Sequence, residues 1–488
     1  MAAIITEKFR QHNAEQFFES FSEASASTYY LFIGKSTPFT NSTSGGDDNS
    51  PPAPKDDVTS EFYKWDSMLA AKLISSSDVS YVIPRRNWTN STTYDMYEHD
   101  ISSTNTTTSG ATNLYDSTFF FVTSEYKVYK VLDNNAGAPY SGSEPTDTNS
   151  NSFELGGYTL QYMYSLTTSQ IQKFLTSDFI PVVTDTTVSG DADDGSMDVV
   201  RTVAGSGYTN GTYYSPIDGD GANGIVQIVV SGGAIVKQGS SGTNMFAAGT
   251  GYTFATVDLT NVYTNSALSI AGNIGSGTGG SVQPIISPKG GHGFNAVSEL
   301  GAHYVMMNSK LEQAEGDDVT VANDFREVGI VKDPFNFGTT TISSASTRRQ
   351  SYAIKMASAP STPYEIDEKI TQSTTGAVGK VVEWDATNNI LYYQQEQYTN
   401  YGIAANGNSI SFTGANTITG DTSGAATTPS ATSSENVTLA GGTVLTFTSG
   451  YTNPELEPNS GHILYVENRR PISRASDQTE DIKIVVEF

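Results

Sequence analysis

The sequence predicts a mainly β protein, a β-rich α+β chain. A discontinuous β-sandwich-type core carries a few short helices and two inserted Gly/Thr-rich β modules. Three observations carry this expectation. Only 16% of residues are charged while Gly reaches 45, Tyr 27 and Phe 22, the composition of strands joined by many turns and not the Ala, Leu, Glu and Lys of long helices. The apolar runs are short, alternating or β-branched, and bounded by Gly, Pro and Asn. The composition also swings twice to Gly, Ser and Thr, around residues 200–285 and 366–450, between stretches of ordinary character.

Taken in order, 13–21 reads as a short helix with Phe17 and Phe21 on one face. Residues 29–33, YYLFI, form a buried-strand candidate stopped by Gly34 and Pro38. Residues 60–74 give the best helical pattern, with Phe62, Trp65, Leu69 and Leu73 on one face and Ser60 as N-cap. Residues 81–83 and 119–131 read as strands. Residues 158–166 alternate Tyr158, Leu160, Tyr162, Tyr164 and Leu166, the period of a half-buried strand. One or two helical turns at 169–175 and a strand at 179–183 follow.

In 200–285 a five-residue echo appears, Gly205-Ser-Gly-Tyr-Thr209 and Gly249-Thr-Gly-Tyr-Thr253, which suits hairpins of a small β module; Ser449-Gly-Tyr-Thr repeats part of it. Strands are expected at 300–307, 325–331 and 351–356, and a hairpin at 379–393 with its turn at Asn388-Asn389. The closing stretch, 461–488, holds two apolar runs, 463–466 and 482–488, around a charged loop. A terminal strand needs a partner, so this stretch must pair far back in the sequence. The expected domain plan is 1–195 as the first part of the core, 200–285 as an inserted module, 290–363 as core, 366–450 as a second module, and 451–488 as closing strands.

At 488 residues the chain exceeds one ordinary core. Twenty-six basic against 52 acidic residues leave a net charge of −26. That balance opposes nucleic-acid binding, which needs cations to displace phosphate counterions, and opposes anionic membrane surfaces. The absence of cysteine removes disulfides, thiolate nucleophiles and thiolate metal sites. The opening MAAIITEKFRQ has no signal-peptide pattern, and no run approaches a membrane span. Folding in a cytoplasm, without export by a classical signal, is expected.

No catalytic constellation emerges, so a non-enzyme without cofactor or metal is expected. The five histidines show no metalloprotease spacing. His292, within Gly290-Gly-His-Gly293, fits a tight turn entering a strand better than a ligand site. The acidic turns at Asp191, Asp193 and Asp194, and at Asp218 and Asp220, resemble pieces of calcium loops. Counted from Asp191, loop position twelve is Thr202 and not the acid an EF-hand needs. Aromatics of the inserts could stack on sugars or fill strand cores. The scarce arginines are more pointed. Arg85 and Arg86 precede Trp88, Phe325 precedes Arg326, and Arg469 and Arg470 precede Pro471 near Asp477. They suit either interface anchoring or pairing within the chain.

Dispersed motifs also resemble a known family. Ile4-Ile5-Thr6-x-Lys8-Phe9-Arg10, Phe32-x-Gly34-Lys35-Ser36-x-Pro38, Pro84-Arg85-Arg86-x-Trp88, Phe325-Arg326-x-Val328-x-Ile330 with Pro334, and Tyr465-x-Glu467-Asn468-Arg469-x-Pro471-Ile472 followed by Asp477-Gln-Thr-Glu480 fall in one order along the core. The chain thus resembles the baseplate wedge proteins of T-even-type contractile-tailed bacteriophages, and its inserts resemble β modules in virion proteins of cyanobacterial viruses. The resemblance implies a structural subunit of the virion tail baseplate. It implies a homodimer within each wedge, contacts to other wedge proteins, and a part in baseplate assembly and the rearrangement that triggers tail contraction. It implies no membrane insertion. The rival expectation is a virion surface protein whose inserted modules bind host-cell glycans.

Overall fold

The computed structural model describes residues 4–23, 25–39, 46–312, 319, 324–395, 402–473 and 478–488. Strands take 39% of the chain and helices 10%, so the protein is mainly β, as composition and run length require. It divides into two compact units: Met1–Gln16, Ser80–Met306 and Val485–Phe488 form the first, Phe17–Val79 and Met307–Ile484 the second.

The first unit is built on a four-stranded antiparallel sheet in the order Phe120–Val122, Lys127–Asp133, Tyr158–Ser165, Phe153–Leu155. Both faces are covered. Tyr158, Leu160 and Tyr162 pack with Tyr94, Phe121, Tyr129 and Tyr140 in one cluster; Met163 and Tyr164 pack with Phe119, Phe120 and Leu132 in another. A long ribbon follows, in which Met197–Ser206 pairs with Thr278–Ile286 from Met197↔Ile286 to Ser206↔Thr278. Beyond it a small sheet joins Gly211–Pro216, Ile225–Ser231 and Asn244–Ala247 over an apolar cluster it shares with the ribbon, with Val226 and Ile228 packed alongside Met197 and Val282.

The five-residue echo has a common structural meaning in this module. Gly205 and Gly249 sit at φ 60° and 64°, Gly207 and Gly251 at 80° and 75°, conformations that glycine adopts at little cost. Each turn drops its tyrosine inward: Tyr208 is 8% and Tyr252 4% exposed. The Tyr208 hydroxyl accepts from Gly280 N–H at 3.1 Å, and the Tyr252 hydroxyl from Gly224 N–H at 3.2 Å. Each ring also lies against a second glycine: a Cβ on Gly277 or Gly221 would come within 2.4 Å of it.

The second unit holds a five-stranded antiparallel sheet in the order Thr347–Arg349, Met68–Ile74, Tyr29–Gly34, Phe325–Lys332, His462–Ile472. Tyr29–Gly34 is buried along its whole length, with Tyr29 opposite both Ile74 and Lys332. A seven-stranded sheet runs from Ala426–Thr427 through Ile418–Gly420, Lys369–Gln372, Val378–Asp385, Ile390–Gln394 and Tyr352–Lys355 to Tyr451–Thr452. The expected hairpin lies within it, Asp385 pairing with Ile390 and Asn389 taking φ 54°.

Several expectations are corrected. The pattern at 60–74 splits into a helix, Val58–Ser67, and a strand, Met68–Ile74. Asp57, not Ser60, caps the helix, its carboxylate accepting from Ser60 N–H at 2.8 Å. Leu69 and Leu73 fit a helical period by chance, because ladders on both sides claim that segment for the sheet and tertiary context overrides propensity. Residues 119–131 form not one strand but a hairpin, turned at Tyr126 with φ 58°. The 158–165 strand is buried on both faces rather than half-buried.

The first helix begins before residue 13. Glu7–Glu19 is a helix, started by the Thr6 hydroxyl accepting from Phe9 N–H at 3.3 Å, and Ile4, 85% exposed, belongs to no core. Both apolar runs of the closing stretch are strands, but they do not pair with each other. His462–Ile472 takes in Arg469 and Arg470, and Thr479–Glu487 belongs to a different sheet. The distant partner it requires is Phe325–Lys332.

Candidate functional site

In the first unit, Arg85 donates to the Thr176 carbonyl and the Asn87 side chain, both at 2.8 Å. Arg86 lies over the Phe120 ring, 4.4 Å from its centroid, and donates to the Tyr115 carbonyl at 3.1 Å. Burial lowers its pKa to about 10 against the opposing pull of Asp95 and Asp116. Trp88 meets Tyr140 edge-on at 5.8 Å. The Arg86 Nη1 and Trp88 Nε1 donors are buried without a partner among the described residues. Asp95 organises the polar loop beside them: its carboxylate accepts from the N–H groups of Ser109 and Thr118 at 2.7 and 2.9 Å and from both hydroxyls.

In the second unit, Phe325 is 1% and Arg326 5% exposed. Arg326 holds Asp48 with two bonds of 2.9 Å and donates to the Ser36 carbonyl at 2.6 Å, the fork geometry that makes arginine strong in such pairs. Those bonds hold the Asp48 carboxyl below its usual range. Phe325 faces Ile472 and Glu327 faces Asn468, so Arg326 alone opposes Arg469, Arg470 and Pro471. Pro471 has no N–H to give to the ladder, and the strand bulges there. Arg470 donates to the Asn49 carbonyl at 3.2 Å; neither it nor Arg469 forms an ion pair among the described residues. Asp477 lies outside the described residues.

His462–Ile472 is an edge strand among the described residues, with Leu464 51% and Tyr465 39% exposed. A groove of about 380 Å³ runs beside it, lined by Pro54, Lys55, Asp57, Lys64, Leu464 and Tyr465 among others. An edge strand offers unpaired backbone groups to another chain.

One buried polar cluster escaped the sequence reading. Lys130, mid-strand and fully buried, pairs with Glu299 of the helical turn Ala296–Glu299. Its Nζ lies 2.7 Å from His292 Nδ1 and 3.6 Å from the centre of the Tyr97 ring. The Glu299 carboxylate also accepts from Gly293 N–H at 2.7 Å. Burial and the neighbouring Lys130 charge push His292 down, so its imidazole is neutral and Nδ1 accepts from the ammonium. Burial alone would raise the Glu299 carboxyl, but Lys130 and the donors around it hold it at about 2. Burial lowers Lys130 against the pull of Glu299. His292 does occupy a glycine turn, with Gly291 N–H on the Pro288 carbonyl at 2.8 Å, but the turn enters a helical turn and not a strand. The alternating context of Lys130 signalled a surface lysine; only burial of both sheet faces makes it internal.

A cavity of about 470 Å³ borders the cluster, lined by Lys8, Tyr97, His99, Tyr115, Phe294 and Glu299 among others. Lys130 itself is 0% exposed and meets no ligand there. The acidic turns are spent on the backbone: Asp220 accepts from Thr253 and Phe254 N–H at 2.8 and 3.2 Å, and Asp194 from Gly290 N–H at 2.7 Å. Among the described residues no three His, Asp or Glu side chains are grouped to hold a metal ion, and no helix is long and apolar enough to cross a membrane.

No curated protein matches the chain. Residues 3–153 match the family model described as Bacteriophage T4, Gp8. That stretch contains the Pro84-Arg85-Arg86-x-Trp88 element and residues of both compact units, and it leaves 154–488 outside the match. Over those residues the chain is similar to the T4-type Gp8 family, whose members are structural baseplate wedge proteins of the phage tail.

Proposed function

We propose that the chain links neighbouring wedge proteins through the edge strand His462–Ile472, and that it takes part in baseplate assembly and the rearrangement that triggers tail contraction. The family match over 3–153 carries the baseplate assignment. The exposed edge supports the mode of linkage: a partner's extended segment adds to the strand at 462–466, beside the groove, while Arg469 and Arg470 remain free of ion pairs among the described residues. A second copy of the chain within each wedge is part of the same reading. So is the role of Arg85, Arg86 and Trp88 as contacts, for which the two unpartnered buried donors speak. Phe325 and Arg326 suit core pairing instead, since both are buried and Arg326 is engaged by Asp48. Residues 200–285 and 366–450 act as inserted modules on a discontinuous core; the ribbon that pairs Met197 with Ile286 supports the first of these.

The test is assembly with Leu464→Asp or Arg469→Ala chains. The isolated variants should melt with the wild type, because both residues are at least partly exposed, while wedges and tails should fail to form. Normal particles from both variants would refute linkage through this edge. Absence of the chain from the baseplate in a cryo-EM map of intact tails would refute the assignment itself.

A further inference from the structure

The outer face of the 200–285 module carries an uncharged aromatic and amide row. Tyr263 bridges to Tyr214, Tyr214 pairs with Gln227, and Gln227 pairs with Asn244. Residues directly opposed in antiparallel ladders project to one face, so these four side chains line up across four segments. Their strand neighbours Tyr213 and Ile228 point the other way and are buried at 5% and 0%. Phe246 sits at the bulge between Met245 and Ala247, is 51% exposed, and meets the Tyr214 ring edge-on at 5.3 Å.

The polar groups of the row are incompletely used. The Tyr214 hydroxyl donates to Gln227 Oε1 at 3.2 Å. The Gln227 and Asn244 amides reach backbone carbonyls only at 3.5 and 3.4 Å, the weak end of the range. The Tyr263 hydroxyl makes no hydrogen bond among the described residues.

We propose that this face is a binding site for a neutral saccharide. The apolar faces of sugar rings stack on exposed aromatics, and vicinal hydroxyls, each donor and acceptor at once, match the Gln227 and Asn244 amides. The row spans three inter-strand steps, about 14 Å, room for a short run of sugar rings. No side chain in it is ionised, so the row offers no salt partner to a charged ligand, and the chain's net charge of −26 repels anionic glycans. The inference stands apart from the wedge assignment, which rests on other residues.

The experiment applies the full-length chain to an array of neutral and anionic bacterial-surface oligosaccharides. Wild type should mark neutral structures. Phe246→Ala and Gln227→Ala should lower that signal at least tenfold. Phe254→Ala, which removes a 59% exposed aromatic of the same module outside the row, should leave it unchanged. Melting curves check folding, and Phe246→Ala, at an exposed bulge, is the variant least able to disturb it. A blank array overturns the proposal. So does signal that survives Phe246→Ala, or signal confined to anionic glycans and abolished by salt.

Discussion

Replacing Glu299 by Gln isolates the buried cluster. The substitution keeps the size of the side chain and removes its charge, leaving the Lys130 ammonium at 0% exposure with only neutral groups against it, the new amide oxygen, the Tyr97 face and His292 Nδ1, and with Asp198 acting on it electrostatically. Breaking a buried pair by removing one partner costs about 3–5 kcal/mol. A ceiling follows from the lysine itself. Carrying it neutral at pH 7, against an unfolded pKa of about 10.4, costs roughly 4.6 kcal/mol, so the chain can always relieve a larger penalty by releasing the proton. A loss of about 3–4.6 kcal/mol corresponds to a Tm lower by about 6–18 °C for a unit of this size.

The sign with pH is distinctive. In the variant the folded state holds fewer protons on Lys130 than the unfolded chain, so stability rises with pH. The gap to wild type should narrow by up to about 1.4 kcal/mol per pH unit between pH 7 and 9. Urea unfolding, with hydrogen exchange followed at Lys127–Asp133, reads both effects. A loss below about 1 kcal/mol, or a gap that does not respond to pH, would refute the ion-pair account.

Further predictions follow from the same geometry. Wild type should be acid-labile in two steps. His292, held neutral by burial, loses its contribution as pH falls below its ordinary value near 6.5, and Glu299 does so as pH falls from the ordinary carboxylate range towards about 2; hydrogen exchange at Ala296–Glu299 against pH would show both. Arg326→Lys keeps the charge but loses the fork on Asp48 and should cost about 1–3 kcal/mol in denaturant unfolding, whereas Arg470→Ala, exposed, should cost under about 0.5. Gly277→Ala should destabilise the 200–285 module by at least about 1 kcal/mol, because the added methyl meets the Tyr208 ring at 2.4 Å. Tyr208→Phe should cost about 1–3 kcal/mol by orphaning the Gly280 N–H, read by exchange at that amide.

Much of the strand content was legible because it depends on local chemistry. Tyr29–Gly34, Phe325–Lys332 and the Asp385–Asn389 hairpin turn are each bounded by their own breakers. What failed depended on partners. Met68–Ile74 reads as helix until two flanking strands claim it, and Tyr158–Ser165 reads as half-buried until a second cluster covers its other face. Arg326 and Arg469 look equivalent in sequence, yet one is clamped by Asp48 and the other has no ion pair among the described residues. Lys130 and Glu299 are 169 residues apart, and neither sits in a motif. The glycine-tyrosine echo was visible as a pattern, but its work, a hydroxyl capping a distant glycine amide, was not.

The ribbon of Met197–Ser206 on Thr278–Ile286 ends with Ser206 directly opposite Thr278. A two-residue reverse turn joining those positions would close the ladder without shifting its register. The sheet module beyond the ribbon does not come away cleanly there, because Met197, Val200, Val282 and Ile286 of the ribbon belong to the same apolar cluster as Val226 and Ile228. Any sequence exchanged at this seam must therefore cover those four side chains again, besides leaving the pairs from Met197↔Ile286 onward in place.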